Sequence, residues 1–532
     1  MNRFFLVVLV VIIAQFSLQN CAKRGRPTGG PKDTIPPVVI SMYPADKSLN
    51  FKSDKIKIQF DEYVMFKDLA NQLIVSPPLK ALPQITPMSA SKEFTLSLND
   101  TLKPNTTYTF DFGNSIVDNN EGNKLERFKY VFSTGNYLDS LTLSGTVANA
   151  LERKTDKNIS VLLYEVNKAF NDSIIYRKKP NYITSTLDST SFSFSNLKAG
   201  TYLMVALKEK NSNYIFDPKT DKIGFKNQFI TLPTDSIINI KIHKEHVKFN
   251  AKAPIEFKKG QLIFGFEGDR NSMEVKLLSK APSTFKSHIS FDKKKDSLYF
   301  WHSPTDLDSL KFEISNENYK KEYTVKIGRA KKDSLRLSGV GTGMLHLRDQ
   351  FKINASIPID IIDETKIQLF EKDTIKAKFK AFISDNKEDV IIDFDKKQFL
   401  GYKVKVYPKA ITDILGNSNK DTLNYQFITG QSDNYGNLTV QLNAKYPTYF
   451  AELITENGQL VEKVFLNDTD KLDFKNLLPG KYIIRFIDDK NLNKQWDTGN
   501  YLQKKQAENV FYFPKIIEVR ANWDIIESFS LH

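Results

Sequence analysis

The stretch "FSNLKAGTYLMVALKEKNSNYIFDP" (residues 194–218) aligns without a gap to "FKNLLPGKYIIRFIDDKNLNKQWDT" (residues 474–498), at an offset of 280. Phe194, Asn196, Leu197, Gly200, Tyr202, Lys210, Asn211, Asn213 and Asp217 match Phe474, Asn476, Leu477, Gly480, Tyr482, Lys490, Asn491, Asn493 and Asp497. Self-similarity at a fixed offset marks a repeated structural unit. A second pair supports this. "SIVDNNEGNKLERFKYVFSTG" (115–135) resembles "AITDILGNSNKDTLNYQFITG" (410–430), with Asp118, Tyr130, Phe132, Thr134 and Gly135 matching Asp413, Tyr425, Phe427, Thr429 and Gly430. The stretch between the pairs, about 248–333, has no evident twin, so the units run A-B-C-A′-B′.

Period-2 alternation pervades the chain, and sustained helical periodicity is nearly absent. Ile56, Ile58 and Phe60 alternate in "KIKIQF", Phe94, Leu96 and Leu98 in "FTLSL", Tyr108, Phe110 and Phe112 in "TYTFDF", and Phe128, Tyr130 and Phe132 in "FKYVF". Each set lines one face of a strand and leaves polar residues on the other. Turn residues recur about every ten positions, which predicts β-sandwiches. The expected fold class is all-β, as tandem sandwiches. The expected divisions are a leader (1–20), a tether (21–34), unit A (35–137), unit B (138–247), unit C (248–333), unit A′ (334–431) and unit B′ (432–532).

The leader places Arg3 before an unbroken apolar run, Phe4 to Ala14. That run is too short to span a bilayer, which takes about 20 residues. It has the layout of a secretory signal. Cys21, the single cysteine of the 532 residues, follows Leu18-Gln19-Asn20. It has no partner for an internal disulfide, and a lone thiol in an oxidising compartment is a liability. Leucine three residues before cysteine resembles the lipobox of bacterial lipoproteins, with Asn20 where that motif has Ala or Gly. The resemblance implies that Cys21 becomes the acylated N-terminus and carries palmitate-type chains. The other reading is an ordinary signal peptide with a chance cysteine nearby. The lipoprotein resemblance further implies the outer membrane, since Ala22 stands where such proteins kept in the inner membrane tend to have Asp, and a lean toward its periplasmic leaflet, since "AKRGR" stands where surface-exported ones often have acidic residues, with the cell surface left open. "KRGRPTGGPKDTIPP" (23–37) cannot bury apolar surface and reads as a flexible tether.

Unit A, from "IPPVVISMYPAD" through "IKIQFDEYV" and "LKPNTTYTF" to "FKYVFSTG", resembles a bacterial Ig-like domain of surface-layer and adhesin proteins. Unit A′ keeps the closing half of that pattern. Unit B, with "LSGTV", "VLLYE" and the turn before Gly200-Thr201-Tyr202, resembles the carboxypeptidase-regulatory or prealbumin-like sandwich, and B′ is its second copy. Together these resemble outer-membrane lipoproteins of one Gram-negative phylum, whose role is non-enzymatic. Asp-Ser/Thr-apolar tripeptides such as Asp100-Thr101-Leu102 resemble the O-glycosylation acceptor of that phylum, and equally suit turns leading into strands.

Charge excludes one class. The formal net charge is +14, but basic runs such as "KRGR" (23–26) and "RAKK" (329–332) are scattered. Nucleic-acid binders gather such charge on one face, so no nucleic-acid partner is expected. No catalytic residue is expected either. "DFG" (111–113) falls in an alternating strand, "GVGTG" (339–343) lacks the lysine of a phosphate loop, and "HKEH" (243–246) lacks a third zinc ligand. The one candidate metal site is Asp489, Asn491, Asn493 and Asp497, at positions 1, 3, 5 and 9 of a loop. Alternating oxygen ligands suit calcium, yet the glycine and distal glutamate of an EF-hand are missing. An Asx-turn loop explains the same residues. Trp301, Trp496 and Trp523 read as core residues before sugar or protein platforms. The functional expectation is a lipid-anchored outer-membrane scaffold that presents sandwich surfaces to envelope proteins, an outer-membrane barrel complex among them. The alternative is a glycan-binding or glycan-hydrolysing surface lipoprotein.

Overall fold

The alternating segments become paired strands in the computed structural model, which describes residues 32–292, 295–317, 319–328, 330–467 and 469–531. The leader, the tether up to residue 31 and Cys21 lie outside the described residues. In unit A, strand Lys55–Phe66 pairs antiparallel with Ser91–Ser97, placing Ile56 against Leu96 and Ile58 against Phe94. All four are buried and pack with Phe60, Phe110 and Phe132. A slip of one residue would carry Lys55, Lys57 and Gln59 inside, so the core enforces the register. The facing sheet holds Ile74–Ser76, Thr107–Asp111 and Lys129–Ser133.

The two copies of the B pattern have one topology. In B, strands Ser191–Leu197, Leu141–Asn149 and Ile238–Ile242 form one sheet, with the last pair parallel. In B′, Lys471–Leu477, Gly436–Leu442 and Asp524–Phe529 do the same. The opposite sheets also correspond, built around Gly200–Lys208 and Gly480–Asp488. Both Leu-x-x-Gly turns are tied alike. Tyr202 donates its hydroxyl to the Lys198 carbonyl at 2.9 Å, and Tyr482 donates to Leu478 at 2.7 Å. Asn196 and Asn476 take positive φ, 59° and 53°, a conformation that asparagine tolerates better than most residues.

The A pattern repeats its ties too. The Tyr108 hydroxyl accepts the Lys103 amide at 2.8 Å, and Tyr402 accepts that of Lys397 at 3.0 Å. Each closing threonine clips the loop that opens that same tyrosine strand. Thr134 donates to the Lys103 carbonyl, and Thr429 to that of Lys397. Asp118 and Asp413 are both buried and gather the backbone N–H groups of the turn that follows. Burial works to raise both carboxyls. Four N–H donors overcome it at Asp118, which lies below the usual carboxylate range, but at Asp413 burial prevails over the Asn417 and Leu415 donors and holds that group above it.

Alternation fails in three informative places. Strand Thr107–Asp111 is buried on both faces, because unit B covers its polar side, where Thr109 meets Asn196 at 3.3 Å. Gly200–Lys208 buries Tyr202, Met204 and Ala206 in one cluster and Leu203, Val205 and Leu207 in another. The second cluster is completed by Tyr501, some 300 residues later in sequence and fully buried. Phe450 and Ile487 of B′ likewise pack with Leu151 of B. The chain thus closes on itself, with the last unit seated against the second.

Segment 498–506 makes that closure. Thr498 donates to the Lys244 carbonyl at 2.5 Å, and the Tyr501 amide donates to the Glu245 carboxylate. Lys504 pairs with Asp172 at 2.5 Å, and Gln506 donates to the Phe225 carbonyl at 3.1 Å. Gly499 lies so close to His243 that a Cβ there would sit 2.5 Å from Nε2. Gly499→Ala is therefore expected to cost about 1–3 kcal/mol of the closed state through overpacking. Differential scanning calorimetry should show an earlier first transition, and small-angle scattering a larger radius of gyration.

Candidate functional site

The candidate loop follows strand Gly480–Asp488, and the structure brings its four named residues together. Asn491 and Asn493 turn their amide nitrogens to the two oxygens of Asp497, at 2.7 and 3.0 Å. Asp489, 3 % exposed, accepts the amides of Asn493 and Lys494 at 3.0 and 2.8 Å. Leu492 and Lys494 take positive φ, 58° and 66°, as Ser212 and Tyr214 do in the B copy. Local bonds of this kind are what Asp and Asn form in turns. Asp497 and the two amides could hold a hard cation if both amides turned their oxygens inward. Among the described residues no group of three or more His, Cys, Asp or Glu side chains has metal-binding geometry.

Two carboxylates absent from the sequence reading close these loops. Glu508 accepts the Lys490 amide at 3.2 Å and the Asp497 amide at 3.0 Å. Asp221, 2 % exposed, accepts the equivalent Lys210 and Asp217 amides at 3.1 and 2.9 Å. They escaped notice because their spacing from the loop differs between the copies, 11 residues in one and 18 in the other.

The loop runs directly into segment 498–506, so the site and the closure share one stretch of chain. On the opposite side lies "HKEH". His243 is 3 % exposed, and neither ring nitrogen has a hydrogen-bond partner. Burial pushes its pKa down to about 4, so the ring is neutral. Burial pushes Glu245 up, and the Tyr501 amide opposes that rise in part. Tyr501 is also pushed up, first by burial and then by the neighbouring Asp172. The motif is a docking surface in this fold. The sequence did carry a sign of it. The unbroken apolar run "YLMVAL" (202–207) breaks alternation, as a strand covered on both faces does.

The tryptophans divide. Trp301 is 5 % exposed and packs with Ile357 and Ile414, Trp496 is half-buried and donates to the Glu508 carbonyl, and Trp523 is exposed beneath the Arg520 guanidinium. "DFG" ends a buried strand, where Asp111 accepts the Gly113 amide at 2.8 Å. Among the described residues no helix is long and apolar enough to cross a membrane.

The fold defines a tandem β-sandwich protein. Its residues 33–134 match the bacterial Ig-like domain family. No curated protein matches the chain. Among solved structures, domains 1–6 of surface layer protein SbsC are similar at 12 % identity and a TM-score of 0.15, covering 91 % of this chain and 67 % of that one. The Bacillus anthracis TIE protein is similar at 11 % identity and a TM-score of 0.14, covering 95 % and 76 %. The major pilin subunit of Bacillus cereus is similar at 10 % identity and a TM-score of 0.13, covering 74 % and 99 %.

Two measurements address the site. If calcium takes the 489–497 loop, it raises the melting temperature of the full chain by mass action, about 2.7 kcal/mol at a hundredfold excess over Kd, and Asp497→Asn removes the shift. An Asx-turn loop leaves the melting curve unmoved by calcium. His243 makes the second prediction. Its unfolded form takes a proton near 6.5 and its folded form near 4, so its contribution is whole above that window and is lost as pH falls through it, by about 3 kcal/mol. Glu245 acts with the opposite sign, because its folded carboxyl takes up a proton first. His243→Leu strands no partner, and its first thermal transition should fall less than that of the unaltered protein between pH 6.5 and 4.

Proposed function

We propose that this chain is a non-enzymatic scaffold of the bacterial envelope, held to the outer membrane through lipid on Cys21 and presenting sandwich surfaces to envelope proteins. The bacterial Ig-like match over residues 33–134 is the observation that carries the surface-scaffold reading. The leader and Cys21 in the sequence support the anchor, since two or more acyl chains hold a protein stably where one does not. The self-closed arrangement supports the scaffold, because packed faces between units keep the remaining surfaces at set positions. An outer-membrane barrel complex is the partner class this reading favours, and the periplasmic leaflet the side.

Metabolic labelling with an alkyne fatty acid tests the anchor. The intact protein should take up label and enter the detergent phase, and Cys21→Ala should do neither. An unlabelled protein that stays in the aqueous phase would falsify the anchor. Cross-linking before affinity purification should recover a stoichiometric barrel protein, and protease on whole cells should leave the chain intact if it faces the periplasm.

A further inference from the structure

The junction between units C and A′ leaves an open cleft of about 480 Å³. Its floor follows from strand register. Gln261–Glu267 pairs with Ser297–Ser303 so that Gln261 lies opposite Trp301 and Ile263 opposite Tyr299. Leu262, Phe264, Leu298 and Phe300 point into the core of unit C. By alternation Gln261, Tyr299 and Trp301 stand on the outer face. Unit A′ covers part of that face, where Ile357 and Ile414 pack on Trp301. The remainder stays open, walled by Arg336 and Asn354 from the A′ side.

Three features suit a ligand. Phe257, 50 % exposed, and Tyr299 lie with ring centroids 6.2 Å apart and form an apolar shelf. The Tyr299 hydroxyl is held by Asp292 at 3.0 Å and the Trp301 indole N–H by Ser290 at 3.2 Å, so both rings are fixed. Gln261 is 5 % exposed, lines the cleft, and its Oε1 accepts no hydrogen bond. A buried amide oxygen without a partner is unfavourable, and a turn of the Gln261 amide toward the cleft it lines would offer that oxygen to a bound donor.

We propose that this cleft is a saccharide-binding site, in which Phe257 and Tyr299 stack on a sugar ring and Gln261 bonds its hydroxyls. A pyranose has an apolar C–H face to lie on the shelf and hydroxyl edges that both donate and accept. The Asn354 amide and the Arg336 guanidinium stand at the same cleft to meet those edges. The charges disfavour a polyanion. Asp292, Asp333 and Glu388 face Lys258 and Arg336 there, and Asp333 already engages both cations. The volume falls within the range of about 300–1,000 Å³ usual for small-molecule sites, and such sites favour domain junctions. The site stands whether or not the chain is lipid-anchored.

The test uses the full chain in detergent, in a W496F/W523F background that leaves Trp301 as the sole indole. Tetramers of N-acetylglucosamine, cellulose, xylan and mannan serve as probes. At least one should change Trp301 emission saturably. Gln261→Leu should weaken that binding on the order of tenfold while leaving the melting temperature equal or higher, because it removes an unpartnered buried oxygen. Phe257→Ala should weaken it similarly with little change in melting, since the ring is half exposed. No response to any tetramer at about 10 mM would overturn the proposal, as would binding that survives both substitutions. So would a Gln261→Leu protein that melts lower and binds normally, because Gln261 would then be a structural group.

Discussion

The seating of Tyr501 in unit B is the contact on which the arrangement of the whole chain depends. Its ring is fully buried, set edge-on to Phe225 at 5.2 Å, with its amide on Glu245 and its hydroxyl 3.2 Å from Asp172. A buried aromatic of this size, with its polar groups met, outweighs several exposed ion pairs, each worth about 0–1 kcal/mol. Without it, the cluster that Leu203, Val205 and Leu207 form with Ile175, Phe216 and Phe225 would lose one wall and open to water there. The closure therefore completes a core as well as joining two units.

The same logic orders the other junctions. Each unit has one core of its own, and the outer faces of its sheets are settled by neighbours. Unit B covers the outer face of Thr107–Asp111, Tyr501 of unit B′ completes the cover that unit B's own Ile175 and Phe216 lay over Gly200–Lys208, and unit A′ covers part of the outer face that carries Trp301. Where the cover is complete the face is buried whatever its chemistry, apolar along Gly200–Lys208 and polar at Thr107, Thr109 and Asp111. Where it is partial, at Gln261 and Phe257, the face keeps aromatic rings beside polar groups, and that mixture is what a ligand can use.

The paired copies show how far a repeated sequence can diverge in role while holding its fold. Tyr202 and Tyr482 tie the same turn, Tyr108 and Tyr402 the same loop, and Thr134 and Thr429 the same closing clip. Yet the loop after Gly480–Asp488 feeds the docking segment, whereas its copy after Gly200–Lys208 is part of the surface that receives it. The insertion that separates Glu508 from its loop, relative to Asp221, is what supplies the extra reach.

Much of this was legible in the chain. Alternation at Ile56, Ile58 and Phe60 and at Phe94, Leu96 and Leu98 determined strands with one inward face, because a period of two admits no other amphipathic element. The match of residues 194–218 to 474–498 determined that two units share a turn and a hairpin, since the same glycine, tyrosine and asparagine meet the same backbone demands. What pairs across hundreds of residues was decided only in the tertiary structure. Nothing local in "HKEH" or in Gly499 says that they touch, and Gln261 reads as an ordinary polar residue until Trp301 is placed opposite it. Periodicity records the face a residue turns inward within its own sheet. It carries no record of which distant surface covers the other face, because that choice depends on the shape and burial of two finished units.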